Sequence, residues 1–157
     1  MHWLVSIILS TCVVVLSGVS TFSASLDASQ ISAITLERTR CLGPCPAYQV
    51  ILRRDGTATY IGNAHVERLG EHQGKLHPSL FIQLARLLLA EEFFALQDSY
   101  VEPVTDSPSA VITVHWGGQR KRVSRYANSG PIQLWGLEMA IDAVVTRMVW
   151  EDDLQGQ

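Results

Sequence analysis

Positive charge is scarce in this sequence, and that scarcity is the first constraint. Twelve Lys and Arg stand against 15 Asp and Glu, a formal net charge of −3. Such a balance gives no electrostatic reason to expect nucleic acid, which demands a basic face. No Gly-x-Ser-x-Gly elbow occurs, so the usual nucleophile turn of an α/β-hydrolase is missing. None of the five histidines falls in a helical i, i+4 pair, the spacing by which a helix presents two zinc ligands. Internal repeats and low-complexity tracts are also lacking. Cysteine is rare, at Cys12, Cys41 and Cys45 only.

What is present begins with an apolar block at residues 4–16. It is short for a membrane span and has the length of a signal-peptide core. Ser23-Ala24-Ser25 follows with the small-x-small pattern a signal peptidase accepts. Residues 1–25 therefore read as a secretory signal, with a periplasmic or secreted mature chain. The front end carries no Lys or Arg, only the amino terminus and His2. That keeps a second reading open, an inner-membrane anchor made by an uncleaved N-terminal segment. Cys12 follows Leu9-Ser10-Thr11 as in a lipoprotein box, but Thr11 is a poor residue there and the apolar core runs on. Cleavage removes Cys12 and leaves Cys41 and Cys45, four positions apart. In an oxidising compartment such a pair reads as a disulfide. Closing so short a loop stabilises by roughly 2 kcal/mol in the chain-entropy model.

After a linker at 26–32, Ile34 and Leu36 alternate with polar neighbours and predict a first strand. Residues 48–53 are apolar on both faces and predict an interior strand. Asp55-Gly56 marks a tight hairpin, 57–61 the returning strand, and 66–69 a further extension of the meander before Gly70 and Gly74 interrupt. A helix opens at Pro78, where the missing N–H costs nothing, and closes at Glu91-Glu92. Phe93-Phe94-Ala95-Leu96 folds back on the core, and a polar loop spans 98–108. Residues 110–116 and 119–126 form a second hairpin on Gly117-Gly118. Ser129-Gly130-Pro131 opens a last helix with an apolar stripe at Leu134, Leu137, Ile141, Val144 and Met148. The order implies an α+β domain over 33–151, with a mostly antiparallel sheet of five to six strands and two helices on one face. A polar tail is expected at 152–157.

The run Thr39-Arg40-Cys41-Leu42-Gly43-Pro44-Cys45-Pro46-Ala47-Tyr48, followed by Asp55-Gly56-Thr57 and Tyr60, resembles the opening of a bacterial domain family of unknown function. Its members pair a Cys-x-Gly-x-Cys-Pro-x-Tyr loop with an Asp-Gly-Thr hairpin, commonly behind an export or lipoprotein signal. Gly74-Lys75, Phe93-Phe94, Thr105-Asp106-x-Pro108 and Ile141-Asp142 match in order, so the likeness runs from residue 31 to 150. The resemblance implies export and this architecture, and it brings no activity with it.

Three constellations remain. Cys41 and Cys45 can be a static disulfide, a thiol redox pair, or a copper site with His65, His72, His77 or His115 as third ligand, since soft thiolates suit Cu(I). A strand after Pro46 argues against the second and third, because reactive thiols of that type sit at a helix N-terminus. Thr105, Asp106 and Pro108 make a polar loop that is a candidate functional site; a hydrolase there needs a histidine and a nucleophile beside Asp106. Arg120, Lys121, Arg122 and Arg125 concentrate positive charge. They read either as protection of an edge strand or as a surface for an envelope protein, acidic lipid or polysaccharide. Trp116, Trp135 and Trp150 are assigned to the core or its rim. The sequence reading is an exported, non-enzymatic binding or envelope-associated domain with no metal or cofactor, ahead of the redox or copper protein and the hydrolase.

Overall fold

The computed structural model describes residues 26–155. The expected signal, with Cys12 and His2, lies outside the described residues. A short 3-10 turn at Ala28–Gln30 leads into β1 (Ile31–Arg38), β2 (Ala47–Arg53), β3 (Thr57–Ala64) and β4 (Gly70–Lys75). Then come α1 (Pro78–Ala90), a 3-10 turn at Phe93–Ala95, β5 (Ser99–Tyr100), β6 (Ser109–Trp116) and β7 (Gln119–Tyr126). The chain closes with α2 (Ile132–Val145), β8 (Val149–Trp150) and α3 (Glu151–Gln155). The sheet has eight strands in the order β5-β7-β6-β1-β2-β3-β4-β8. All neighbouring pairs are antiparallel except β5 and β7.

The class is the expected α+β, and the differences lie in number. The sheet is mixed, with eight strands and three helices, where five to six strands and two helices were expected. Two of the extra strands, β5 and β8, are two residues long and too short to show a period. Residues 66–69 are not a strand. His65 turns into the left-handed region at φ 52°, and the chain folds over β3 before β4 begins at Gly70. That strand then runs straight through Gly70 and Gly74, the two residues read as interruptions. Gly74 is needed there because Trp150 lies against it: a Cβ would sit 2.8 Å from the indole Cε3. β1 opens at Ile31, within the expected linker, and the expected tail is helical as far as Gln155.

The hydrophobic core lies between the helices and one sheet face. Ile34 and Leu36 from β1, Val50 and Leu52 from β2, and Ile112 and Val114 from β6 meet Phe81, Leu84 and Leu88 of α1 and Leu134, Leu137 and Ile141 of α2. Each such fully buried side chain contributes roughly 1.5–3 kcal/mol of transfer free energy. Strand alternation puts Thr35, Ile51, Thr59 and Gln73 side by side on the opposite face. Here Arg53 donates to the Thr59 hydroxyl at 3.1 Å, and the hydroxyl donates to Gln73 at 3.1 Å. Trp150 and Met148 are buried as expected, Met148 beyond the end of α2. Trp135 is not in the core; it stands 49% exposed on α2.

The C-terminal strand and helix are tied to β4 and the preceding turn. Arg68 donates to both carboxylate oxygens of Asp153, at 2.9 and 2.8 Å, and lies over the Trp150 ring. His72 pairs through Nδ1 with Asp152 and through Nε2 with the Leu69 carbonyl. The hydrogen bond to Asp152 raises the His72 pKa above 6.5, with the Leu69 contact adding to it. A raised folded value means this link is complete below about pH 6.5 and is lost as pH rises through the higher value. Proton NMR should find His72 titrating above the ordinary histidine range. In Asp152→Asn it should titrate lower, and amide protection at Val149 and Trp150 should lose its pH dependence.

Candidate functional site

The two loops singled out by sequence meet at one end of the sheet. Antiparallel pairing of β1 with β6 sets the end of β1 beside the start of β6, Arg38 opposite Ala110. The loops that leave those strands, 39–46 and 101–108, are therefore neighbours. Thr39 N–H donates to the Ser109 carbonyl at 3.0 Å, Ser109 N–H to the Thr39 hydroxyl at 2.8 Å, and Leu42 N–H to the Asp106 carbonyl at 3.4 Å. The Sγ atoms of Cys41 and Cys45 lie at disulfide-bonding distance with Cα atoms 5.7 Å apart. Cys45 is two residues ahead of β2 and not at a helix N-terminus. Asp106 takes φ 59°, so that its carbonyl is turned to Leu42. Tyr126 adds a clasp, its hydroxyl accepting from Ser107 N–H at 3.0 Å.

Beneath the loops is a cleft of about 240 Å³ lined by Cys45, Pro46, Ser107, Pro108, Ser109 and Asn128, with Arg38 and Arg125 among its walls. Both arginines point to the helix side of the sheet, where α2 supplies the carboxylates. Glu138, fully buried, accepts from Arg125 Nε at 2.5 Å and Nη2 at 2.8 Å, and from Arg38 Nη1 at 3.3 Å. Asp142, one turn on, accepts from Arg38 Nη2 at 2.7 Å and from the Tyr48 hydroxyl. The third guanidinium nitrogen of each arginine also has a partner, Tyr48 Oη at 3.1 Å for Arg38 and the Ala127 carbonyl at 2.5 Å for Arg125. Two cations and two carboxylates cancel, and no buried side-chain nitrogen or oxygen among the described residues lacks a partner.

Two groups of this network, Tyr48 and Arg38, hold their protons firmly. Burial pushes the Tyr48 pKa up strongly, and donation to Asp142 pushes it further. Tyr48 is then a fixed donor. Burial opposes the Arg38 charge, but Asp142 and Tyr48 together outweigh it and raise the guanidinium above its usual range. A proton relay needs a group that titrates near working pH, and neither of these does so. The arrangement orients side chains and loops.

The remaining candidates are dispersed. Arg125 leaves the expected basic surface altogether, because strand alternation turns it inward with Val123 to meet Glu138. Lys121 donates to the Leu96 carbonyl at 2.7 Å and to Asp98 at 2.6 Å. Arg120 and Arg122 stay exposed on β7, which β5 covers only at Ser124 and Arg125. Thr105 and Asp106 are exposed, and Pro108 lines the cleft. His77 caps α1 by accepting from Ser79 N–H at 3.3 Å. His72 is held by Asp152, His115 lies at the far end of β6, and His65 sits in the β3–β4 turn. Among the described residues His, Cys, Asp and Glu gather in no group of three able to hold a metal ion. Sequence reasoning missed Glu138 and the role of Asp142. Their signal was two carboxylates, four residues apart, inside the stripe of Leu134, Leu137 and Ile141.

Fold and site together define an α+β domain with a loop-built cleft at one sheet end, its inner charges neutralised. The chain belongs to the family described as Domain of unknown function (DUF6438), which matches residues 32–145. No curated protein matches the chain.

Proposed function

We propose that this is an exported, non-enzymatic binding domain whose recognition site is the cleft under the 39–46 and 105–108 loops. The observation that carries the reading is the Leu42–Asp106 and Thr39–Ser109 bonding, between residues 64 and 70 positions apart in sequence, that locks two loops over one cleft. The Cys41 and Cys45 bond acts as a clamp on one wall. A strand, not a helix, follows it, so nothing local favours the thiolate that a redox or copper role requires. Asp106 serves through its backbone carbonyl, which supports a shaping role for that loop over a hydrolytic one.

Chemistry of the walls suggests the ligand. Arg38 and Arg125 are each paired with a carboxylate of α2, so an anion meets charge that is already neutralised. Ser107, Ser109 and Asn128 offer hydroxyl and amide groups beside the flat apolar faces of Pro46 and Pro108. Polar groups on a partly apolar surface suit a neutral sugar ring, and an envelope polysaccharide end is the proposed ligand. An NMR titration of the oxidised chain with neutral oligosaccharides tests it. Amide shifts should cluster at Cys45, Ser107, Ser109 and Asn128; shifts scattered over the sheet, or none, overturn the reading.

A further inference from the structure

A second cleft, of about 390 Å³, opens between the β3–β4 turn and the stretch after α2, lined by Tyr60, Glu67, Arg68, Thr146, Met148 and Trp150 among others. Tyr60 and Trp150 meet edge to face with ring centroids 5.6 Å apart, and Tyr48 stacks on Tyr60 at 5.3 Å. Tyr60 is only 7% exposed. Tyr48 beside it accepts from Arg38 and donates to Asp142, but the Tyr60 hydroxyl makes no hydrogen bond among the described residues. A phenol sealed from water in that state would be costly. No buried side-chain oxygen among the described residues lacks a partner, so this hydroxyl reaches the cleft that Tyr60 lines. Burial raises its pKa, with the Asp142 charge adding to that, and it stays a donor.

Arg68 supplies further donors to the same cleft. Its Nη2 serves Asp153, while Nε and Nη1 make no hydrogen bond among the described residues. The charged groups lining the cleft are Glu67, Arg68 and Asp153. Of the charges behind them, Asp142 is paired with Arg38, and His72, tilted against Tyr60, with Asp152. An anion alone would face the two acids, and a cation alone would face Arg68. A ligand carrying both signs satisfies all three groups. We infer that this cleft binds a free apolar α-amino acid. Its carboxylate accepts from the Tyr60 hydroxyl and Arg68, its ammonium meets Glu67 and Asp153, and its side chain lies against Val145, Met148 and Trp150. The cleft shares no lining residue with the one under the loops, so the inference does not rest on the sugar reading.

The test is an NMR titration of the oxidised chain with L-leucine. The Trp150 indole and the Tyr60, Arg68 and Thr146 amides should shift, while Cys45, Ser107, Ser109 and Asn128 stay in place. Leucinamide, which lacks the carboxylate, and N-acetyl-leucine, which lacks the ammonium, should each bind about tenfold more weakly or worse. Tyr60→Phe removes only the hydroxyl and should weaken leucine binding about tenfold. Its thermal midpoint should not change, because that hydroxyl holds nothing in the protein. Glu67→Gln, at an exposed position, should weaken binding about threefold. If Tyr60→Phe does not fold, the two analogues and Glu67→Gln decide alone. Absence of these shifts at millimolar leucine overturns the inference, as does normal binding by Tyr60→Phe. N-acetyl-leucine binding as well as leucine also overturns it and makes the cleft a site for carboxylates alone.

Discussion

Replacing Glu138 by glutamine is expected to cost about 3–5 kcal/mol in unfolding free energy, read from a urea transition. Glu138 has no exposed surface, and two guanidinium groups converge on it. The amide fills the same space but removes the negative charge, leaving Arg125 largely buried with only the Ala127 carbonyl as an unaltered partner. Arg38 suffers less, since Asp142 still faces it at 2.7 Å. The penalty is therefore one of stranding a cation, not of losing an attractive pair. An apolar double replacement, Arg125→Met with Glu138→Leu, should recover most of the loss. If the glutamine variant unfolds within 1 kcal/mol or so of the parent, by the median for an exposed pair, the network does not organise the domain.

Gly62→Ala should cost about 3 kcal/mol or more, although it adds a single methyl group. Its Cβ would sit 1.8 Å from the Arg68 carbonyl oxygen and 2.9 Å from Val66 Cγ2. The obstacle is backbone, so no rotamer change relieves it. Relief requires opening the β3–β4 turn, which also carries Arg68 away from Asp153 and Trp150. Loss of Trp150 packing, seen as a red-shifted tryptophan emission, should accompany the lowered stability. By comparison Gly136 on α2 has nothing within 4 Å of an added Cβ. Gly136→Ala should be neutral or mildly stabilising through helix propensity, which makes it the control within the same experiment.

Much of the fold was legible because its long elements have clean periods. The hairpin at Asp55-Gly56 and the first turn of α1 at Pro78 stand where local chemistry puts them, Gly56 at φ 87° and Pro78 at the first helical position. The turn at 65–69 was misread because Val66 and Leu69 look like strand residues, while the closure over Gly62 that bends them is a tertiary contact. For the site, the cysteine loop and the Asp106 loop were each visible. Their junction was not, since it depends on which strand β1 pairs with on its second edge. Arg125 looked like one of a basic run; only the inward neighbour Val123 hinted that alternation turns it to the core. Trp135 was assigned to the core or its rim by proximity to an apolar stripe, but α2 also carries apolar residues on its outward side, and the indole stands there half exposed.

The central claim is that the clamped loops form a binding cleft, and the most direct test is the oligosaccharide titration run on oxidised and reduced chain. The account predicts shifts at Cys45, Ser107, Ser109 and Asn128 in the oxidised form, with affinity falling when the Cys41–Cys45 bond is reduced while the sheet stays folded. Binding that is equal in both forms, or shifts confined to residues away from the cleft, would contradict it.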